Sequence, residues 1–157
     1  MINFEENTFD KKQIEMDIMN SNPDYNLISK NKETIEEQDI IEEFQESKDL
    51  NVVRLLVKND QNYIGILDYC LSNLSDGKTW ISLFVIHRKY QGNGLAKKVY
   101  IQFENLIKEK EKTAIRLAVH QINQQGIRFW NSFGFTKYKE LIYNDKVHYC
   151  LEKKIGN

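Results

Sequence analysis

The segment HRKYQGNGLAKKVY, His87 to Tyr100, sets Gly92 and Gly94 one residue apart among cationic side chains, just ahead of a helical pattern. Glycine lets a backbone turn sharply and approach a ligand closely. The first N–H groups of a helix lack intrahelical acceptors and lie at the positive end of its dipole. Together these features describe a cradle for an anion such as a phosphate. The charge pattern agrees: from Gly77 to Phe103 there is no Asp or Glu, whereas Lys78, Arg88, Lys89, Lys97 and Lys98 are cationic. Composition alone would put about four acids there. A Walker A loop is excluded, because GNGLAKK has neither the required spacing nor the hydroxyl. A dinucleotide fingerprint is weak, since Lys97 stands where a third Gly or Ala is needed and His120 where an acid is needed. A third pattern, Q/R-x-x-G-x-G/A, is met by Gln91, Gly94 and Ala96.

The elements that must position this loop are legible as periodicities. Helical spacing marks Lys11 to Asn20 and then TIEEQDIIEEFQES, where Thr34 and Glu37 have capping-box spacing. Asn51–Val57 and Tyr63–Leu71 read as a hairpin around Lys58–Asn62, and Thr79–Ile86 as a central strand covered on both faces. Leu95, Val99, Phe103 and Leu106 define a helix; Ala114–Val119 a strand; Asn123–Phe133 a helix stopped by Gly134. Two strands follow, at Thr136–Leu141 and Lys146–Lys153. The expected fold is one α+β domain with a mixed sheet, 157 residues being ample for a single core.

Composition narrows the function. The apolar content is 41% and the charged content 29%, ordinary for a globular protein. The run Leu83–Ile86 is far short of a membrane span, and acids near the amino terminus replace the cations of a secretory signal. The expectation is therefore a cytoplasmic protein with no membrane partner, Cys70 and Cys150 being buried reduced thiols. A pI near 6.3 argues against a nucleic-acid partner. The charge is segregated all the same: residues 1–50 carry 14 acids and 5 bases, the remainder 9 acids and 17 bases.

The stretches WISLFVIHRKYQGNGLAKKVYIQFENLIKE and IRLAVHQINQQGIRFWNSFGF resemble the GNAT superfamily of acyl-CoA-dependent N-acetyltransferases: its fourth strand, pyrophosphate loop and helix, then its fifth strand and fourth helix ending in Gly-Phe. The resemblance covers about Asn51 to Lys153 and fits the first fifty residues loosely. It implies a mixed, mostly antiparallel sheet splayed between the fourth and fifth strands, with helices on both faces, and residues 1–50 as a helical, acidic segment on the acceptor side. It implies acetyl-CoA as cosubstrate, an amine acceptor, no metal, and a homodimer as one assembly. By position, the pyrophosphate would meet the main chain of Gln91, Gly92, Asn93, Gly94, Leu95 and Ala96. The pantetheine arm would pair with Phe84, Val85 and Ile86 and touch Asn123.

Two departures shape the expected chemistry. Trp130 stands where many members carry a Tyr as general acid, and indole cannot supply that proton; Trp130 reads as a core aromatic, with Tyr138 or Tyr143 as stand-ins. The fourth strand offers no base, Ser82 being its only polar residue between Trp80 and Ile86. An amine near pKa 10.4 must lose a proton before it attacks, which leaves His120, Asp68 or water as acceptor. The acids of residues 1–50 are either a solvated helix face or an entrance that attracts a cationic amine. The alternative to an enzyme is an acyl-CoA-binding sensor or structural module without turnover.

Overall fold

The computed structural model describes residues 1–156; the last residue of the expected domain, Asn157, lies outside them. Seven strands form one sheet: β1 (Ile2–Glu6), β2 (Val53–Asn59), β3 (Asn62–Cys70), β4 (Thr79–Ile86), β5 (Ala114–His120), β6 (Thr136–Tyr143) and β7 (Lys146–Lys154). The helices are α1 (Lys12–Asn20), α2 (Pro23–Lys30), α3 (Glu37–Asp49), α4 (Leu95–Glu109) and α5 (Gln124–Ser132). Strand order is β1-β2-β3-β4-β5-β7-β6, antiparallel throughout except for the parallel pair β4–β5.

Alternation divides the apolar residues between two layers. Leu67, Tyr69, Ile81 and Ile86 pack with Val99, Tyr100 and Phe103 of α4 and Trp130 of α5. Leu56, Ile66 and Val85 pack on the opposite face with Ile18 and Met19 of α1 and Ile40 of α3. The helices thus cover both faces, as expected, and Cys70 and Cys150 are buried and unpaired.

Several expectations change. β1 and α2 were not anticipated; with β1 in place, Thr79–Ile86 becomes the fourth strand. The box at the start of α3 uses Glu36 and Asp39 rather than Thr34 and Glu37: the Asp39 carboxylate accepts from Glu36 N–H at 2.8 Å. The buried seam of α4 runs through Val99, Tyr100, Phe103 and Ile107, with Leu106 at its margin. β4 is central but not covered along its whole length, because Ser82 is exposed and Leu83 and Phe84 are half-buried.

That opening has a local cause. Leu83 lies opposite Asp68 and Ile81 opposite Tyr69, so Ser82 is an extra residue, a bulge in β4. Bulges bend a strand and increase its twist. β4 is matched to β5 only at Thr79↔Ile115 and Trp80↔Arg116, and beyond the bulge the two strands part.

Beyond this bend, where Gly65 lies opposite Ile86, β3 follows β4 closely because Gly65 has no side chain. A Cβ there would stand 2.7 Å from Val85 O and 2.8 Å from Ile86 Cδ1. Gly65→Ala should therefore cost about 1–3 kcal/mol through overpacking. Urea unfolding checks this; an unchanged midpoint would mean that β4 is free to shift.

Candidate active site

The loop at the end of β4 is held by side chains as well as by its glycines. After one 3₁₀ turn, Arg88–Tyr90, the Gln91 Nε2 donates to Ile86 O at 2.7 Å and to Asn22 Oδ1 at 2.8 Å. Asn22 Nδ2 donates to the same Ile86 carbonyl at 3.1 Å. Two amides thus tie the last carbonyl of β4 to the loop and to the α1–α2 junction. Gly92 and Gly94 adopt φ of 84° and 81°, the left-handed region that favours glycine, and Gly94 caps α4. Asn93 Oδ1 accepts from Leu95 N–H at 3.3 Å, and a Cβ on Gly92 or Gly94 would meet nothing within 4 Å beyond its own chain neighbours. The six loop positions singled out, Gln91 to Ala96, therefore line one open turn at a helix N-terminus. Of the nearby cations, Arg88 is committed to Asp24 Oδ1 at 2.7 Å and Ser21 O at 2.9 Å, while Lys97 and Lys98 are exposed.

The slot between β4 and β5 begins at this loop. His87 N–H donates to Ile64 O at 2.7 Å, so strand alternation turns Val85 toward β3 and the backbone groups of Phe84 and Ile86 toward the slot. Since Ile86 O is already taken, the groups this leaves facing the gap are Phe84 N–H and C=O and Ile86 N–H. Asn123 stands beyond the end of β5, where its Oδ1 caps α5 by accepting from Gly126 N–H at 2.9 Å. Gly126 makes this fit possible, because a Cβ there would lie 2.7 Å from Asn123 Nδ2.

On the α1–α3 face lies a charge cluster that sequence reasoning did not assemble. Arg54 and Asp68 are cross-strand partners in β2 and β3. Arg54 Nε donates to Asp68 Oδ2 at 3.0 Å and Arg54 Nη2 to Glu15 Oε2 at 2.6 Å, while Asn7 Nδ2 donates to Glu15 Oε1 at 2.9 Å. All four residues are buried, and the guanidinium lies 4.5 Å over the Phe44 ring. Two carboxylates share one cation in a site with little water to stabilise the excess charge. Burial, opposed by Arg54 and assisted by Glu15 and Glu43, pushes the Asp68 carboxyl up to about 7. Asp68 Oδ1 has no hydrogen-bond partner.

Asp68 also lines a cavity of about 280 Å³ whose wall includes Ser82 and Leu83 of β4. Further carboxylates line it, Glu15, Asp39, Glu43 and Glu46, together with Tyr25, Lys30 and Tyr143. The acids of α3 thus reach an internal wall as well as solvent. Burial, with Glu43 and Asp68 nearby, raises the Tyr25 phenol to about 12, so it stays neutral.

His120 is not in that wall. It pairs with His148 across β5 and β7, the rings 5.1 Å apart, and its Nδ1 accepts from Ile122 N–H at 3.2 Å. Burial, then His148 and Lys146, hold it below the ordinary histidine value. The two proposed proton acceptors are therefore separated: Asp68 at the cavity, His120 at the strand end. Trp130 is buried among Phe84, Tyr100, Phe129 and Phe135, as a core aromatic. Of the two stand-in tyrosines, Tyr143 lines the cavity and Tyr138 lies over the Arg116 guanidinium at 4.5 Å. Among the described residues no group of three or more His, Cys, Asp or Glu could hold a metal ion, and no helix is long and apolar enough to cross a membrane.

A mixed sheet parted at its one parallel pair, with a glycine turn at the mouth of the gap, is the architecture of an acetyltransferase of the GNAT class. The chain belongs to the acetyltransferase (GNAT) family, whose profile matches residues 16–135. It is 34% identical over 70 residues to the spermine/spermidine N(1)-acetyltransferase of Bacillus subtilis (strain 168), a match covering 44% of this chain and 46% of that protein. The chain thus spans about half the length of this curated relative. An acetyltransferase from Thermus thermophilus superposes with a TM-score of 0.80 at 18% identity, over 98% of this chain and 97% of that one. The spermidine N-acetyltransferase of Vibrio cholerae, in complex with CoA and spermine, superposes with a TM-score of 0.75 at 14% identity, over 98% and 95%.

The raised Asp68 carboxyl has a consequence for stability. Between about pH 4, where a free aspartate titrates, and about 7, the folded protein keeps a proton that the unfolded chain has released. Its contribution is thus full below pH 4 and lost as pH rises through 7. Asp68→Asn removes this titration, so its Tm relative to wild type should rise by roughly 4 °C or more between pH 4.5 and 7.5. Scanning calorimetry at both pH values reads the difference, and no change in it would mean that Asp68 ionises normally.

Proposed function

We propose that this protein transfers the acetyl group of acetyl-CoA to a primary amine that enters as a cation and loses its proton to Asp68. The observation that carries the reading is the unpartnered, buried Asp68 Oδ1 in a carboxylate-lined cavity that abuts the β4 bulge. The acceptor class is drawn from that wall and accords with the polyamine substrates in the names of the Bacillus and Vibrio proteins.

In this reading the amides of Gln91 to Ala96 bind the CoA pyrophosphate, and the pantetheine arm lies along Phe84–Ile86 with Asn123 across from it. The thioester then reaches the middle of β4, beside Ser82 and Leu83. An alkylammonium of pKa near 10.4 is about three units from deprotonation at pH 7.4, a cost of about 4 kcal/mol. Asp68 meets part of that cost by taking the proton inside the cavity. The free amine attacks the carbonyl carbon, a C–N bond forms, and the tetrahedral oxyanion is met by main-chain N–H groups on the open edge of β4. The C–S bond breaks with CoA leaving as a thiolate, a tolerable leaving group that needs no help from Trp130; the second proton, shed by the nitrogen as it becomes an amide, passes to the thiolate through the Tyr143 hydroxyl at the cavity or through solvent. Both cysteines being unpaired, we place the reaction in the cytosol.

Two sets of variants test this. Gly94→Asp puts a carboxylate into the phosphate turn and should abolish the upward melting shift that CoA gives the wild type; an unchanged shift in a folded variant would remove the loop from the CoA site. Asp68→Asn should lower kcat at least tenfold at neutral pH, retain the CoA melting shift, and lose its penalty as pH nears that of the amine. His120→Gln should stay within about threefold of wild type; the reverse pattern would move the base to His120. Thiol release by no amine at all would favour an acyl-CoA-binding module.

A further inference from the structure

The acidic cavity already holds an ammonium group of its own. Lys30, the last residue of α2, reaches across to α3, where its Nζ donates to Glu43 Oε1 at 2.6 Å; both residues line the same cavity as the buried Asp68. The other carboxylates are differently placed. Asp39 is held by Lys32 at 2.7 Å, Glu15 and Asp68 share Arg54, and Glu46 has no ion-pair partner among the described residues. Burial opposes the charge on Lys30, but Glu43, Glu46 and Asp39 outweigh it and hold the amine above the ordinary lysine value, so it is cationic at neutral pH.

We propose that Lys30 is a tethered competitor for the second cationic group of the acceptor: it occupies Glu43 until the distal ammonium of a diamine or polyamine displaces it. The inference rests on the acceptor site argued above. Three observations support displacement rather than a fixed brace. The pair is half-open, with side-chain exposures of 38% for Lys30 and 27% for Glu43, and such ion pairs are weak. The lysine stem is flexible, whereas the end of α2 is clamped independently: Lys146 Nζ donates to Ile28 O at 2.9 Å and to Asn31 Oδ1. Releasing Lys30 therefore need not unravel the helix. The unpartnered Asp68 Oδ1 and Glu43 also belong to one cavity, so a linear amine with its reacting nitrogen at Asp68 can present a second cation to the carboxylate that Lys30 holds.

A competitor of this kind lowers apparent affinity only for ligands that need its place. With 1,4-diaminobutane as acceptor, Lys30→Met and Lys30→Gln should each lower KM about fivefold, the occupancy penalty of a weak ion pair. With n-butylamine, which has no second cation, KM should change less than about twofold, and Lys30→Arg should keep the wild-type ratio between the two amines. Calorimetric titration of 1,4-diaminobutane should show the same tightening without turnover. A diamine KM and Kd that are unchanged or raised in both neutral variants would overturn the proposal, as would an equal gain for n-butylamine. A wild type that binds CoA but acetylates neither amine would overturn acetyl transfer to such amines, and the calorimetric comparison would then decide the displacement by itself.

Discussion

The parting of β4 from β5 is the constraint on which the remaining geometry depends. A parallel pair held at two positions and then opened by a bulge leaves strand backbone unpaired in the middle of a sheet, which is costly unless another group satisfies it. The fold answers this in part by itself: Gln91 and Asn22 cap the carbonyl of Ile86. The groups at Phe84 and the N–H of Ile86 remain at the gap, and an amide-bearing chain such as pantetheine has donors and acceptors suited to them. The bend that opens the slot also exposes Ser82 and brings Leu83 beside Asp68, so the slot and the carboxylate-lined cavity have one structural origin.

The charge asymmetry of the chain becomes a functional asymmetry of the fold. Backbone amides and Lys97 and Lys98 gather at the mouth of the slot, while the acids of α1 and α3 gather at the cavity on the α1–α3 face. Opposite fields at the two ends suit two substrates of opposite charge, an anionic nucleotide thioester and a cationic amine, and disfavour the exchange of their places. The near-zero net charge conceals this separation.

What could be read from the sequence was whatever depended on neighbours along the chain. The glycine turn was legible because φ near 80° at Gly92 and Gly94 is a property of residue type, and α4 because its period is local. β1 escaped because its burial is irregular, with Ile2 buried and Phe4 only partly so. The signals of α2 were present, with Pro23 opening the helix and Asn31 at φ 62° closing it, but no apolar period joined them: Asn26 is the buried residue, held by donating to Met19 O and Glu33 O. The Thr34–Glu37 spacing competed with a second box two residues on, and spacing alone cannot choose between them. Asp68 could be singled out from its apolar strand, and Arg54 follows once the β2–β3 register is known. Glu15 arrives from another element, so the sharing of one guanidinium by two acids is a tertiary fact.

Trp130 shows how the same site can be built around a different residue. It lies within 6 Å, centroid to centroid, of Phe84, Tyr100, Phe129 and Phe135, beneath the open segment of β4. Tyrosine and tryptophan would each bring one polar hydrogen there, but the indole contributes more apolar area and aromatic contacts to the wall beneath a strand whose one edge lacks a neighbour beyond the bulge. Proton supply to the departing sulfur is the smaller demand, since a thiolate leaves far more readily than an alkoxide. Proton removal from the incoming amine is the larger one. In the proposed mechanism that demand falls to Asp68, a carboxyl whose affinity for protons is raised by burial and by the nearby Glu15 against the pull of Arg54, and which lines the carboxylate-rich cavity.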